Sequence, residues 1–147
     1  MTLNWNYAEK WMERSMPGYI EKVWTNLYGA KVAPKVVEAP HTWTTPQYGS
    51  SQSQLTTPID SSPLLSAPEK TRLQEIVGSL LYFSRCIDST ILATLGSIGT
   101  NIYDGTERVA AMAAYLLNFC DNNRNPNFRY YASDIRRSPN MDRASLS

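Results

Sequence analysis

Apolar positions in this chain recur at two spacings, and the change from one to the other divides it. Leu3, Trp5 and Tyr7 alternate with Asn4 and Asn6, the period of two expected of a strand. Glu9 and Lys10 are placed for a turn, and residues 11–15 for the returning arm of a short hairpin. Ser15-Met16-Pro17-Gly18 then opens a helix. Ser is a good cap, and Pro is tolerated in the first turn, where its missing N–H would have had no partner. Tyr19, Ile20, Val23, Trp24, Leu27 and Tyr28 follow at helical spacing as one broad stripe of about three turns. Gly29 is a natural stop. The stripe is aromatic enough to stack bases, but core packing is its expected role.

From residue 30 to 68 no period holds. Pro34, Pro40, Pro46, Pro58, Pro63 and Pro68 interrupt every candidate element. A connection this long is uncommon inside a compact domain. It is read as a linker or an extended strap, with His41, Trp43 and Tyr48 as candidate anchors.

Helical spacing returns at Ala67-Pro68-Glu69. Leu73, Ile76, Val77, Leu80, Leu81 and Ser84 make the stripe of a second helix. Gly78 inside it costs about 1 kcal/mol against Ala, and the expected reason is another backbone packed close by. Asp88-Ser89 breaks and recaps the chain, with Asp88 as a helix cap. Ile91, Leu92, Leu95, Ile98 and Ile102 form a third helix, in which Gly96 and Gly99 carry the same expectation of close approach. Asp104-Gly105-Thr106 is a turn, and Thr106 caps a fourth helix with Val109, Met112, Ala113, Leu116, Leu117 and Cys120 on its apolar face. Phe128 and Tyr130 alternate with Arg129 and Tyr131 and predict a last strand. After Asp134 the pattern disappears, and the tail is read as degenerate. Both ends read as cut from larger sheets. The fold class that follows is mainly α: an N-terminal β-hairpin, about four helices, a long irregular Pro/Ser-rich connection and a short C-terminal strand. The expected divisions are 1–29, 30–68, 69–122 and 123–147.

Composition narrows the chemistry. A chain of 147 residues suits one domain of ordinary size. Its net charge is +1, without the basic excess usual in a stand-alone nucleic-acid binder. Cys86 and Cys120 fall within apolar helix patterns and read as reduced thiols of an intracellular protein. There is no signal-peptide pattern and no apolar run near the roughly 20 residues needed to span a bilayer, so no membrane partner is expected. His41 is the single histidine, which leaves too few ligands for a structural zinc site and no base for Ser–His or Cys–His catalysis. Neither a phosphate-cradling loop nor a nucleophile elbow occurs. The carboxylates are scattered and read as surface charges and caps, not as the converging set that two metal ions require. No catalytic or metal-binding residue is therefore expected. The one basic hint is Lys70, Arg72 and Arg85 on the second helix. Arg72 and Arg85, thirteen residues apart, are expected to fall toward one side, from which they could contact a phosphate backbone. A solvated basic edge is the blander reading.

Val77-Gly78-Ser79-Leu80-Leu81-Tyr82-Phe83, followed by Arg85 and Asp88, resembles a segment of the reverse transcriptases in copia-type LTR retrotransposon polyproteins. In that family it follows the palm, in the thumb and connection leading to RNase H. Met1-Thr2-Leu3 and Ser15-Met16-Pro17-Gly18-Tyr19-Ile20 are similar to the end of the palm. Residues 105–117 are similar to the helix after the connection, and Arg129-Tyr130-Tyr131-Ala132-Ser133-Asp134 to the strand approaching RNase H. The resemblance covers roughly residues 1 to 135. It implies a piece of an RNA-directed DNA polymerase that holds an RNA–DNA or DNA primer–template by backbone contacts, with the remainder of the polyprotein as its other partner. The family's Tyr-x-Asp-Asp turn is missing, and so is a strand bearing the RNase H metal-binding Asp. No cofactor is therefore expected in this chain, the Mg²⁺ of the intact enzyme being bound elsewhere, and no activity from it alone. The residues by themselves also suit a small helical protein-interaction module on 69–120 with no nucleic-acid role.

Overall fold

A computed structural model describes residues 1–29, 35–42 and 60–132. The candidate anchors Trp43 and Tyr48, most of the connection, and the tail after residue 132 lie outside the described residues. The chain runs β1 (Thr2–Asn6), β2 (Trp11–Ser15), α1 (Tyr19–Tyr28), α2 (Ala67–Cys86), a 3-10 turn (Ser89–Ile91), α3 (Leu92–Asn101), α4 (Glu107–Asn122) and β3 (Phe128–Tyr131). It is mainly α with a hairpin at one end and a short strand at the other, as the periodicity predicts.

The longest helix, α2, is the centre of the packing and touches α1, α3 and α4. Its apolar stripe is what the others cover. Leu73, Ile76, Leu80 and Phe83 are buried there against Ile20, Val23 and Trp24 of α1 and against Leu95, Ile98, Val109, Ala113, Leu116 and Leu117. Of the α1 stripe Ile20, Val23 and Trp24 are core, as expected, while Tyr19 is half-buried and Tyr28 is exposed. Phe83 extends the α2 stripe because it lies seven residues after Ile76 and three after Leu80, on the same helical face. Leu81, expected in that stripe, is only half-buried.

α2, the 3-10 turn and α4 start on side-chain caps, but α1 does not: Gly18 stands at its N-cap with φ +73° and no side-chain bond, and Ser15, the expected cap, is the last residue of β2. Ser66 and Glu69 form a capping box at α2, with the Ser66 N–H donating to the Glu69 carboxylate at 2.9 Å. Asp88 accepts from the Thr90 N–H at 3.1 Å and Thr106 Oγ1 from the Val109 N–H at 3.4 Å, the two caps expected from the sequence. The end of the connection is tied down rather than loose. Glu107 N–H donates to the Pro63 carbonyl at 3.0 Å, and Leu65 N–H to the Gly105 carbonyl at 2.7 Å. The first contact satisfies one of the donors that a helix N-terminus leaves without an intrahelical partner. Asp60 accepts from the Ser62 N–H and hydroxyl and from the Thr106 hydroxyl. Those donors favour the carboxylate and hold Asp60 down to about 2.

The two terminal strand patterns belong to one sheet. β1, β2 and β3 form a three-stranded antiparallel sheet in that order. Glu13 faces Asn4 on one side and Arg129 on the other. A period of two says that a segment is a strand but does not name its neighbour.

The glycines correct an expectation. Among the described residues a Cβ built on Gly78, Gly96 or Gly99 meets nothing within 4 Å, so no described backbone packs close at any of them. Gly105 is different: its φ is +57°, and a Cβ would collide with the Lys70 side chain. Gly78→Ala, in an exposed helix interior, should therefore stabilise the fold by about 1 kcal/mol, by removing the helical penalty of glycine with nothing to displace. Urea unfolding measures it, and a loss of stability there would restore the close-packing idea.

Candidate nucleic-acid interface

Lys70, Arg72 and Arg85 do not form one patch. α2 is unbroken from Ala67 to Cys86, so Lys70 and Arg85 stand about 22 Å apart along its axis. Thirteen residues at 100° each leave Arg72 and Arg85 about 140° apart around it, not on one side as expected. The Lys70 side chain lies over Gly105 in the turn before α4. The Arg72 guanidinium sits 5.7 Å above the Tyr28 ring. Arg85 occupies the last turn of α2, where a cation complements the helix C-terminus.

The residues that do converge are on the sheet. The register places Trp5, Met12 and Tyr130 in one row across the three strands, and Leu3, Arg14 and Phe128 in the next. Directly paired residues and their i+2 neighbours share a face, so all six lie on the same side. Four of them remain open to solvent: Trp5 is 58% exposed, Leu3 45%, Tyr130 41% and Phe128 37%. Trp5 stacks on Tyr7 with ring centres 6.3 Å apart and planes 12° apart. The Phe128 and Tyr130 rings are 4.6 Å apart. Arg14 lies across both, its guanidinium 5.6 Å and 5.1 Å from the two ring centres, and donates to the Tyr130 hydroxyl. Its Nε is buried and has no hydrogen-bond partner among the described residues. The result is a ring-lined platform with one positive charge set into it.

The opposite side of the sheet holds the strands together. The Arg129 guanidinium donates to Glu13 at 2.7 Å and lies 4.3 Å above the Trp11 ring. The carboxylate beside it raises Arg129 above its ordinary value. Sequence reasoning missed Arg14, Trp5, Phe128 and Tyr130 as a group, although the alternation that puts each pair on one face was visible. What it lacked was that residues 128–131 pair beside residues 11–15.

Elsewhere the chemistry is sparse. Among the described residues no three His, Cys, Asp or Glu side chains come together where they could share an ion. The described residues thus do not fit a two-Mg²⁺ polymerase or nuclease centre. Both cysteines are free, and burial pushes the Cys120 thiol up to about 12, so it is a packed and unreactive group. His41, the single histidine, lies on the surface beside α3 and α4. No described helix is long and apolar enough to cross a membrane. Comparison with protein-family models, curated proteins and solved structures finds no match.

Proposed function

We propose that this chain is the primer–template-holding part of a copia-type retrotransposon reverse transcriptase: the end of the palm, the thumb and the connection, acting inside the cell and inert alone. Polymerisation in the intact polyprotein would draw on Mg²⁺ held by residues outside this chain. The observation that carries the reading is the exposed platform of Trp5, Arg14, Phe128 and Tyr130. Aromatic rings with an arginine among them suit stacking of bases, which is tolerant of sequence because every base has a π-face. The order of the pieces resembling the family, from residue 1 to about 135, supports it. The near-neutral charge implies few phosphate contacts, and so modest affinity and a shallow salt dependence.

The test is fluorescence anisotropy of a labelled RNA–DNA hybrid with a single-stranded overhang, titrated with the purified chain across salt. Binding at low salt that weakens as salt rises is expected, with no primer extension in the same mixture. Robust Mg²⁺-dependent extension by this chain alone would overturn the reading. Absence of any binding at low salt would also overturn it and would favour the helical protein-interaction module.

A further inference from the structure

A cleft of about 600 Å³ opens between α3 and α4, beside their buried faces, with residues 40–42 along its rim. Two helical stripes build it. Ala93, Thr94 and Ser97 come from α3 at positions i, i+1 and i+4. Arg108, Ala111, Met112 and Tyr115 come from α4 at i, i+3, i+4 and i+7. Each set falls on one side of its helix by the 3.6-residue period. The volume is in the range of small-molecule sites.

The polar groups around this cleft have hydrogen-bonding capacity that the fold leaves unspent. Among the described residues, the Arg108 guanidinium and the hydroxyls of Thr94, Ser97 and Tyr115 make no side-chain hydrogen bond or ion pair. Thr94 is only 7% exposed, so its hydroxyl has little other than the cleft to turn to. Arg108 is close enough to Asp60 to help stabilise its carboxylate, yet forms no ion pair with it among the described residues. Among the described residues no carboxylate lines the cleft, and Arg108 is the one permanent charge on its wall. Ala111, Met112 and the Tyr115 ring supply an apolar floor beside that charge.

We infer that this cleft binds a small organic anion: one acidic group held by Arg108 with help from the hydroxyls, and a flat apolar body lying on Ala111, Met112 and Tyr115. The ring body separates this ligand from a bare inorganic ion. A guanidinium grips a phosphate or carboxylate through paired N–H donors, and the hydroxyls can donate to its remaining oxygens. The site shares no residue with the sheet platform, so it stands or falls independently of the nucleic-acid reading.

The experiment is an amide NMR titration of the full chain with phenyl phosphate at millimolar concentration, with phenylacetate, phenol and inorganic phosphate as parallel probes. Shifts should concentrate on residues 93–97 and 108–115. Phenyl phosphate or phenylacetate should bind at least roughly tenfold more tightly than phenol or inorganic phosphate. Arg108→Gln should weaken the binding roughly tenfold. Ala111→Trp, at an exposed position, should fill the cleft and abolish it while leaving the spectrum that of a folded chain. The inference is overturned if no organic anion shifts these amides, if phenol binds equally well, or if Arg108→Gln binds as the parent does.

Discussion

Phe83→Ala should remove about 3–5 kcal/mol of stability, the range for deleting a fully buried aromatic ring. Phe83 is 1% exposed, and its ring lies nearly parallel to that of Tyr19, at 5.9 Å between centres and 3° between planes. Tyr19 cannot readily collapse into the space, because its hydroxyl donates to the Ser79 carbonyl at 3.2 Å and its ring also touches Tyr82. The cavity term therefore adds to the lost transfer energy. An ordinary domain has only about 5–15 kcal/mol in total, so this one change should take roughly a fifth of it or more. The adjacent Tyr82 is 52% exposed, and Tyr82→Ala should cost about 1 kcal/mol or less. Urea unfolding of the two variants is the measurement. The midpoint should fall steeply for Phe83→Ala with an unchanged slope. Equal losses at the two positions would mean that α1 does not sit on α2 as described.

Trp5→Ala and Tyr130→Ala should each weaken binding of the hybrid by roughly fivefold to a hundredfold, since stacking of a base on an aromatic ring is worth about 1–3 kcal/mol. Both rings are at the solvent face of the sheet, in one row across its three strands. Tyr131→Ala is the control: it is 66% exposed but lies on the opposite face, and it should bind as the parent does. Unfolding midpoints must be matched, because Tyr130 also accepts from Arg14 and its loss loosens β3. Triple replacement of Lys70, Arg72 and Arg85 by alanine should change the affinity little, because the three point away from one another around and along α2. If that triple variant loses binding while Trp5→Ala does not, the contact surface is the helix and not the sheet.

Much of the architecture was legible residue by residue. The stripes of α1, α2, α3 and α4, the Thr106 and Asp88 caps and the alternation in β1 and β3 are local signals, set by a few neighbours along the chain. The errors at the glycines were about neighbours distant along the chain. Gly78, Gly96 and Gly99 suggested close backbones, yet each faces open space. A helical glycine looks the same in sequence whether or not another chain segment crosses it. Arg72 and Arg85 were expected on one edge, although thirteen residues at 100° each already place them about 140° apart on a continuous helix. The two terminal strand patterns named no neighbour, and the structure places them on either side of β2.

The periods of 2 and 3.6 are printed in the order of side chains, because each reflects how a single element repeats its own geometry. They determined where the helices and strands lie and which sides of the helices are buried. Which strand lies beside which depends on the closure of more than a hundred residues between β2 and β3, and such closure leaves no local mark. The platform around Arg14 and the cleft beside Arg108 both arise at junctions of elements distant along the chain, and only the tertiary structure could bring their residues together.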